Sequence, residues 1–112
     1  MGLKQPQDGE PKSIGREVTF EQDTNDFDLL KRVLKGIAED VCRTAKEEKY
    51  TFRTVVLKIR YEDFETHTNQ KSFKQQVSID DVKRASAYIL ALFKSKKKIR
   101  LIGLRLTNLK KV

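Results

Sequence analysis

The sequence predicts an α+β domain, a two-layer sandwich of order β-α-β-β-α-β with two helices on one face of a four-stranded sheet. Three observations predict it. Two segments carry apolar residues at three- and four-residue steps. Three others alternate apolar and polar residues at least in part, and a fourth strand-like run is polar on both parities. A helix with one apolar stripe and a strand with one apolar face must bury them against each other. Two layers do this with least chain and leave the second sheet face open.

Residues 1–12 hold both prolines and two of the five glycines, and read as a linker or tail ahead of a domain at 13–112. In residues 13–21, SIGREVTFE, Val18 and Phe20 share one face of a strand and Glu17 and Thr19 the other. Gly15 marks a bend or a close backbone approach. QDTND offers several N-caps. The helix that follows repeats Phe27, Leu30, Leu34, Ile37, Val41 and Ala45, with Cys42 at the border of the stripe. In 52–61, Val55, Leu57 and Ile59 face one way and Val56, Lys58 and Arg60 the other. The turn YEDF leads into ETHTNQKSF, which has no apolar face on either parity. It is predicted as an edge strand whose register the pattern does not fix. Ser78 and Asp81 form a capping box for a second helix with Val82, Ala85, Ile89, Leu92 and Phe93 on one side. That helix runs into a lysine cluster suited to its negative end. The last strand, 99–108, turns Ile102, Leu104 and Leu106 inward and Leu101, Gly103, Arg105 and Thr107 outward.

The chain has 112 residues, a formal charge of +8 and a pI near 9.7. Ten Lys or Arg follow Asp81 with no further acidic residue, and five of them lie within residues 94–100. An anionic partner explains this better than solubility does: nucleic acid first, an anionic membrane surface second. One cysteine permits no internal disulfide and suits a reducing cytoplasm. No stretch approaches the ~20 apolar residues of a membrane span, and the N-terminus lacks a signal-peptide apolar region.

Catalytic chemistry is not in the pattern. A lone His67 on a polar strand, with Cys42 on a distant helix, has no zinc spacing. Ser, His and Asp occur without a triad arrangement. Asp80 and Asp81 stand at a helix start, where capping accounts for them. No cofactor is expected in this chain. The outward positions instead collect Lys58 and Arg60, Arg105, and the polar series Thr66, Thr68, Asn69, Gln70, Lys71 and Ser72. Arg16 lies near the first strand, and Lys96, Lys97, Lys98 and Arg100 at the rim. Cations with short hydroxyl and amide side chains are the inventory of phosphate contact. Gly15 and Gly103 let backbone N–H groups approach a phosphate. The outer face has no aromatic for base stacking and the chain has no KH-type loop, so backbone-tracking duplex binding is expected.

The strands KSIGREVTF, FETHTNQKSF and KIRLIGLRLTNL resemble the little-finger, or polymerase-associated, domain of Y-family translesion DNA polymerases, and particularly archaeal homologues of DNA polymerase IV. The resemblance covers residues 12–109. It implies a reversed ferredoxin-like sheet lying in the major groove of a primer–template duplex, with a flexible linker to a thumb. It carries phosphate contacts to Ser13, Gly15, Arg16, Thr68, Asn69, Lys71, Arg100 and Arg105. Lys58, Arg60 and Gln70 join these from the outward pattern. Two positions depart from the family: Asn69, where Arg is common, and Leu101, where archaeal relatives carry a second Arg. The resemblance further implies a parent polymerase that uses Mg²⁺ in its palm. Palm, fingers and thumb would be this chain's partners together with double-stranded DNA. The expected role is a non-catalytic grip in DNA damage bypass and replication. The alternative is a module that docks a sliding clamp or other replication partner.

Overall fold

The computed structural model describes residues 13–75, 77–93 and 97–112. The predicted tail, together with Lys94 and Lys96 of the basic run, lies outside these. The order is β1 (Ile14–Thr24), α1 (Phe27–Glu47), β2 (Tyr50–Thr51), β3 (Thr54–Tyr61), β4 (Thr66–Ser72), α2 (Ile79–Leu92), β5 (Ile99–Thr107) and β6 (Lys110–Lys111). The main sheet is antiparallel in the order β1-β5-β3-β4, which makes β1 and β4 its edges. The two-residue strands β2 and β6 pair with each other beside it.

Both helices pack on one face, as the stripes require. Leu30, Leu34, Ile37, Ala38, Val41 and Ala45 of α1 and Val82, Ala85, Ile89 and Leu90 of α2 are buried. They meet Val55, Leu57 and Ile59 of β3, each fully buried, and Ile102, Leu104 and Leu106 of β5. At ~25 cal/mol per Å² of apolar surface, that cluster is the main force holding helices to sheet. Asp26 caps α1, its carboxylate accepting from the N–H groups of Asp28 (3.1 Å) and Leu29 (3.2 Å). The capping box of α2 forms as predicted. Ser78 Oγ accepts from Asp81 N–H at 3.2 Å and Asp81 Oδ2 from Ser78 N–H at 3.1 Å.

Three details differ from the sequence reading, in β1, β3 and α2. β1 runs on to Thr24, past a register shift between Thr19 and Thr24. Strand β3 starts at Thr54 rather than at residue 52. In α2 the inward residue is Leu90; Leu92, in the last turn at the stripe's border, is 56% exposed. The turn YEDF ends in Phe64 at φ 69°, a left-handed conformation usually left to Gly or Asn.

Candidate nucleic-acid interface

Directly opposed residues of an antiparallel pair share a face, so the register lays out the open face row by row. Gly15, Arg105, Val56 and Gln70 make one row across β1, β5, β3 and β4. Glu17, Gly103, Lys58 and Thr68 make the next, and Thr19, Leu101, Arg60 and Thr66 the third. Thr107, Thr54 and Ser72 stand below the first row. Between the bulges this face therefore holds three cations, Lys58, Arg60 and Arg105, and one carboxylate, Glu17. No helix covers it. Val56 and Leu101 lie low among the longer polar side chains, each 6% exposed.

A cleft of about 410 Å³ opens at the β1–β5 side of this face, lined by Ser13, Gly15, Arg16, Glu17, Val56, Lys58, Gly103, Leu104 and Arg105. Its depth comes from two missing side chains. A Cβ on Gly15 would lie 3.1 Å from the Leu104 carbonyl and 3.4 Å from the Arg105 stem. A Cβ on Gly103 would lie 2.8 Å from Glu17 Cγ and 3.1 Å from the Arg16 carbonyl. Arg105 is exposed and has no ion pair or hydrogen bond among the described residues. Arg60 donates from Nε to Thr66 Oγ1 at 3.0 Å. Lys58 is held by Glu17 at 2.8 Å.

The structure divides the predicted set. Lys58, Arg60, Arg105, Gly15, Thr68 and Gln70 share the open face, with Ser13 at the cleft's end. Arg16, Asn69 and Lys71 do not. They oppose Leu104, Leu57 and Val55, and so leave the sheet on its helix side. Arg16 Nε lies 3.5 Å from Asp40 on α1. Asn69 Oδ1 accepts from the N–H of Gln70 at 2.8 Å, and the Lys71 ammonium sits 5.6 Å from the Phe73 ring. The continuous polar series of the edge strand cannot all face one way, because successive side chains alternate. An Arg in place of Asn69 would likewise start from the helix side.

The rim is also less available than its lysines suggest. Lys97 pairs with Asp63 at 2.9 Å and Glu65 at 3.5 Å. The Asp63 bond lifts the Lys97 pKa and in turn depresses the Asp63 carboxyl, while the Glu65 carboxyl is depressed by its hydrogen bond to His67 first and by Lys97 second. Arg100 occupies a bulge, since Arg60 opposes Leu101 and Tyr61 opposes Ile99. It binds Asp23 at 3.1 Å, stacks 4.4 Å from the Phe64 ring, and leaves its Nε unpaired. These carboxylates are near in space but remote in sequence, so the charge run alone does not reveal them. Sequence reading missed the contact of Glu17 with Lys58; its alternation with Val18 placed it on the open face but not against Lys58.

Among the described residues no three His, Cys, Asp or Glu are grouped to hold a metal, and no helix is long and apolar enough to cross a membrane. Cys42 is half-buried on α1, and burial pushes its thiol up to about 11.

A sequence profile of the impB/mucB/samB family C-terminal domain matches residues 11–112. The chain is 39% identical over 99 residues to DNA polymerase IV of Methanoculleus marisnigri, covering 88% of this chain and 28% of that protein. It is 39% identical over 104 residues to DNA polymerase IV of Listeria monocytogenes, covering 90% and 29%. It thus spans less than a third of the length of these relatives. In fold it is similar to the Dbh DNA polymerase of a post-insertion binary complex, with TM-score 0.77, 20% identity and coverage of 89% and 29%. It is also similar to a PolIV little finger domain solved with a beta-clamp processivity factor, with TM-score 0.74, 17% identity and coverage of 89% and 91%. At these identities the likeness is one of fold.

Proposed function

This chain belongs to the impB/mucB/samB C-terminal domain family, the little-finger domain of Y-family DNA polymerases, and we propose that it is the non-catalytic duplex grip of a lesion-bypass DNA polymerase. The observation that carries the proposal is the helix-free sheet face, on which Lys58 and Arg105 line a glycine-floored cleft and Arg60 stands one row further along. Side chains of this kind bond phosphate oxygens, and Arg bonds them through two N–H groups at once. Hydroxyls and amides of Thr66, Thr68 and Gln70 on β4 extend the same face. Polar contacts without stacking aromatics hold a duplex by its backbone and leave sequence unread.

In this reading the parent enzyme's palm, fingers and thumb are separate parts, and Mg²⁺ serves in the palm. The domain's work is to keep the primer–template duplex in place, so it sets how far synthesis proceeds before release. The test is titration of a labelled duplex with the 112-residue chain over a range of salt. Two to three phosphates neutralised from the open face predict a log–log salt slope of roughly −2 to −3. A slope near zero, or strong preference for one sequence, contradicts the proposal.

A second reading, docking of a sliding clamp, draws on the fold likeness to the clamp-bound little finger and on Tyr88 and Leu92, 65% and 56% exposed one turn apart on α2. It uses the opposite layer from the sheet face. Tyr88→Ala is therefore expected to leave duplex binding unchanged, and a duplex defect in that variant would count against separate surfaces.

A further inference from the structure

We infer that Glu17 is an internal competitor for phosphate, a carboxylate that occupies Lys58 at the centre of the open face and weakens the grip on DNA. This rests on the duplex-grip reading and identifies the residue that limits it.

The pair is built rather than incidental. Glu17 and Lys58 stand on β1 and β3, which are not neighbours; β5 runs between them. Adjacent strands lie about 4.8 Å apart, so the two backbones are separated by roughly 10 Å. The residue of β5 directly between them is Gly103, opposed to Glu17 on one side and Lys58 on the other. The two side chains meet above that glycine at 2.8 Å. The space is tight, because a Cβ on Gly103 would come within 2.8 Å of Glu17 Cγ. A side chain at 103 would therefore stand in the path of the ion pair.

The charge consequence is direct. Of the three open-face cations, Lys58 is the middle one and, among the described residues, the only one held by a carboxylate. A phosphate oxygen that binds the Lys58 ammonium must displace the Glu17 carboxylate, which then faces the phosphate with like charge. While Glu17 is present, Lys58 offsets that carboxylate rather than holding a phosphate of its own. Arg60 and Arg105 are left to carry the contact, and the domain holds the duplex loosely.

The test is a double-mutant cycle on the 112-residue chain, read by anisotropy of a fluorescent duplex at two salt concentrations. Glu17→Gln keeps the shape and removes the charge. It is expected to tighten binding about 3- to 10-fold at low salt, the gain of a charge-assisted hydrogen bond reduced by screening at an exposed surface, and to steepen the salt slope by about 0.9. Lys58→Ala is expected to weaken binding in the wild type, because it leaves the Glu17 carboxylate uncompensated on the open face, and to abolish the gain in the Glu17→Gln background. Glu47→Gln, the same charge change at the end of α1, is the control and is expected to do much less. Wild-type binding that Glu17→Gln leaves unchanged overturns the inference alone. Equal tightening by Glu47→Gln also overturns it, because the effect is then net charge. Absence of salt-dependent binding in both wild type and Glu17→Gln removes the duplex-grip reading, and this inference with it. Thermal melts of each variant confirm that the comparison is between folded chains.

Discussion

Replacing Arg105 with Ala removes the one open-face cation that is exposed and free of any carboxylate or hydroxyl partner among the described residues. Its stem runs over Gly15, and its guanidinium is not needed to satisfy another buried group. The folded state should therefore lose little; surface changes of this kind stay within about 0.5 kcal/mol. Duplex binding should lose one phosphate contact. A charge-assisted bond at a screened surface is worth roughly 0.5 to 1.5 kcal/mol, or about 2- to 12-fold in affinity at low salt. The salt slope should become shallower by about 0.9. Two other cations calibrate the result. Arg16 is on the neighbouring strand but leaves the sheet on the helix side, 3.5 Å from Asp40. Lys46 is exposed at the end of α1. Ala at either position should cost clearly less than Ala at 105. The assay is duplex titration of all three variants at two salt concentrations, with melts alongside. Equal losses across the three would mean diffuse attraction to a basic protein, and the face-specific argument would fail.

Three further expectations concern the scaffold. Ser78→Ala removes the two bonds of the Ser78 hydroxyl to Asp81, one accepted from its N–H and one donated to its carboxylate, and leaves the backbone bond of the α2 capping box in place; it should cost about 1 kcal/mol by chemical denaturation. The backbone N–H of Ser78 holds the Asp81 carboxyl below its ordinary 3.8. Its stabilising contribution is therefore complete above 3.8 and disappears as pH falls through the lower folded value, so an acid titration of the variant should keep this backbone part of the loss and lack only the part carried by the Ser78 hydroxyl. Lys49→Gly relieves a left-handed residue at φ 63° just after α1 and should raise stability by roughly 1 kcal/mol; a lower melting temperature would refute this. Cys42, its thiol pushed up to about 11 by burial, should resist alkylation at neutral pH in the native chain and react readily in denaturant.

The elements that sequence discloses are those whose burial is periodic within one segment. The α1 stripe, the alternation of Val55, Leu57 and Ile59, the inward set of β5 and the S-x-x-D box all have that local signature, and each is present in the fold. What escaped depends on partners distant in the chain. Polar β4 carries no apolar parity, so only its pairing with β3 reveals that Thr68 and Gln70 face outward while Asn69 and Lys71 do not. Leu90 and Leu92 both fit the border of a stripe, and which one is buried depends on where the sheet beneath α2 ends. The basic run that looked like a free rim meets Asp63, Glu65 and Asp23 through tertiary contacts. The Glu17–Lys58 pair needed the register of three strands and the glycine between them.

The proposed grip requires the duplex to meet the open face of the sheet and not the helices. Backbone amide shifts of the labelled chain, followed by NMR on titration with a short duplex, test it most directly. The account predicts that the largest changes fall on Gly15, Glu17, Lys58, Arg60, Thr68, Gly103 and Arg105, the rows defined by the strand register. Largest changes at Lys31, Lys35 and Arg84, the cations around the groove between the two helices, would contradict it.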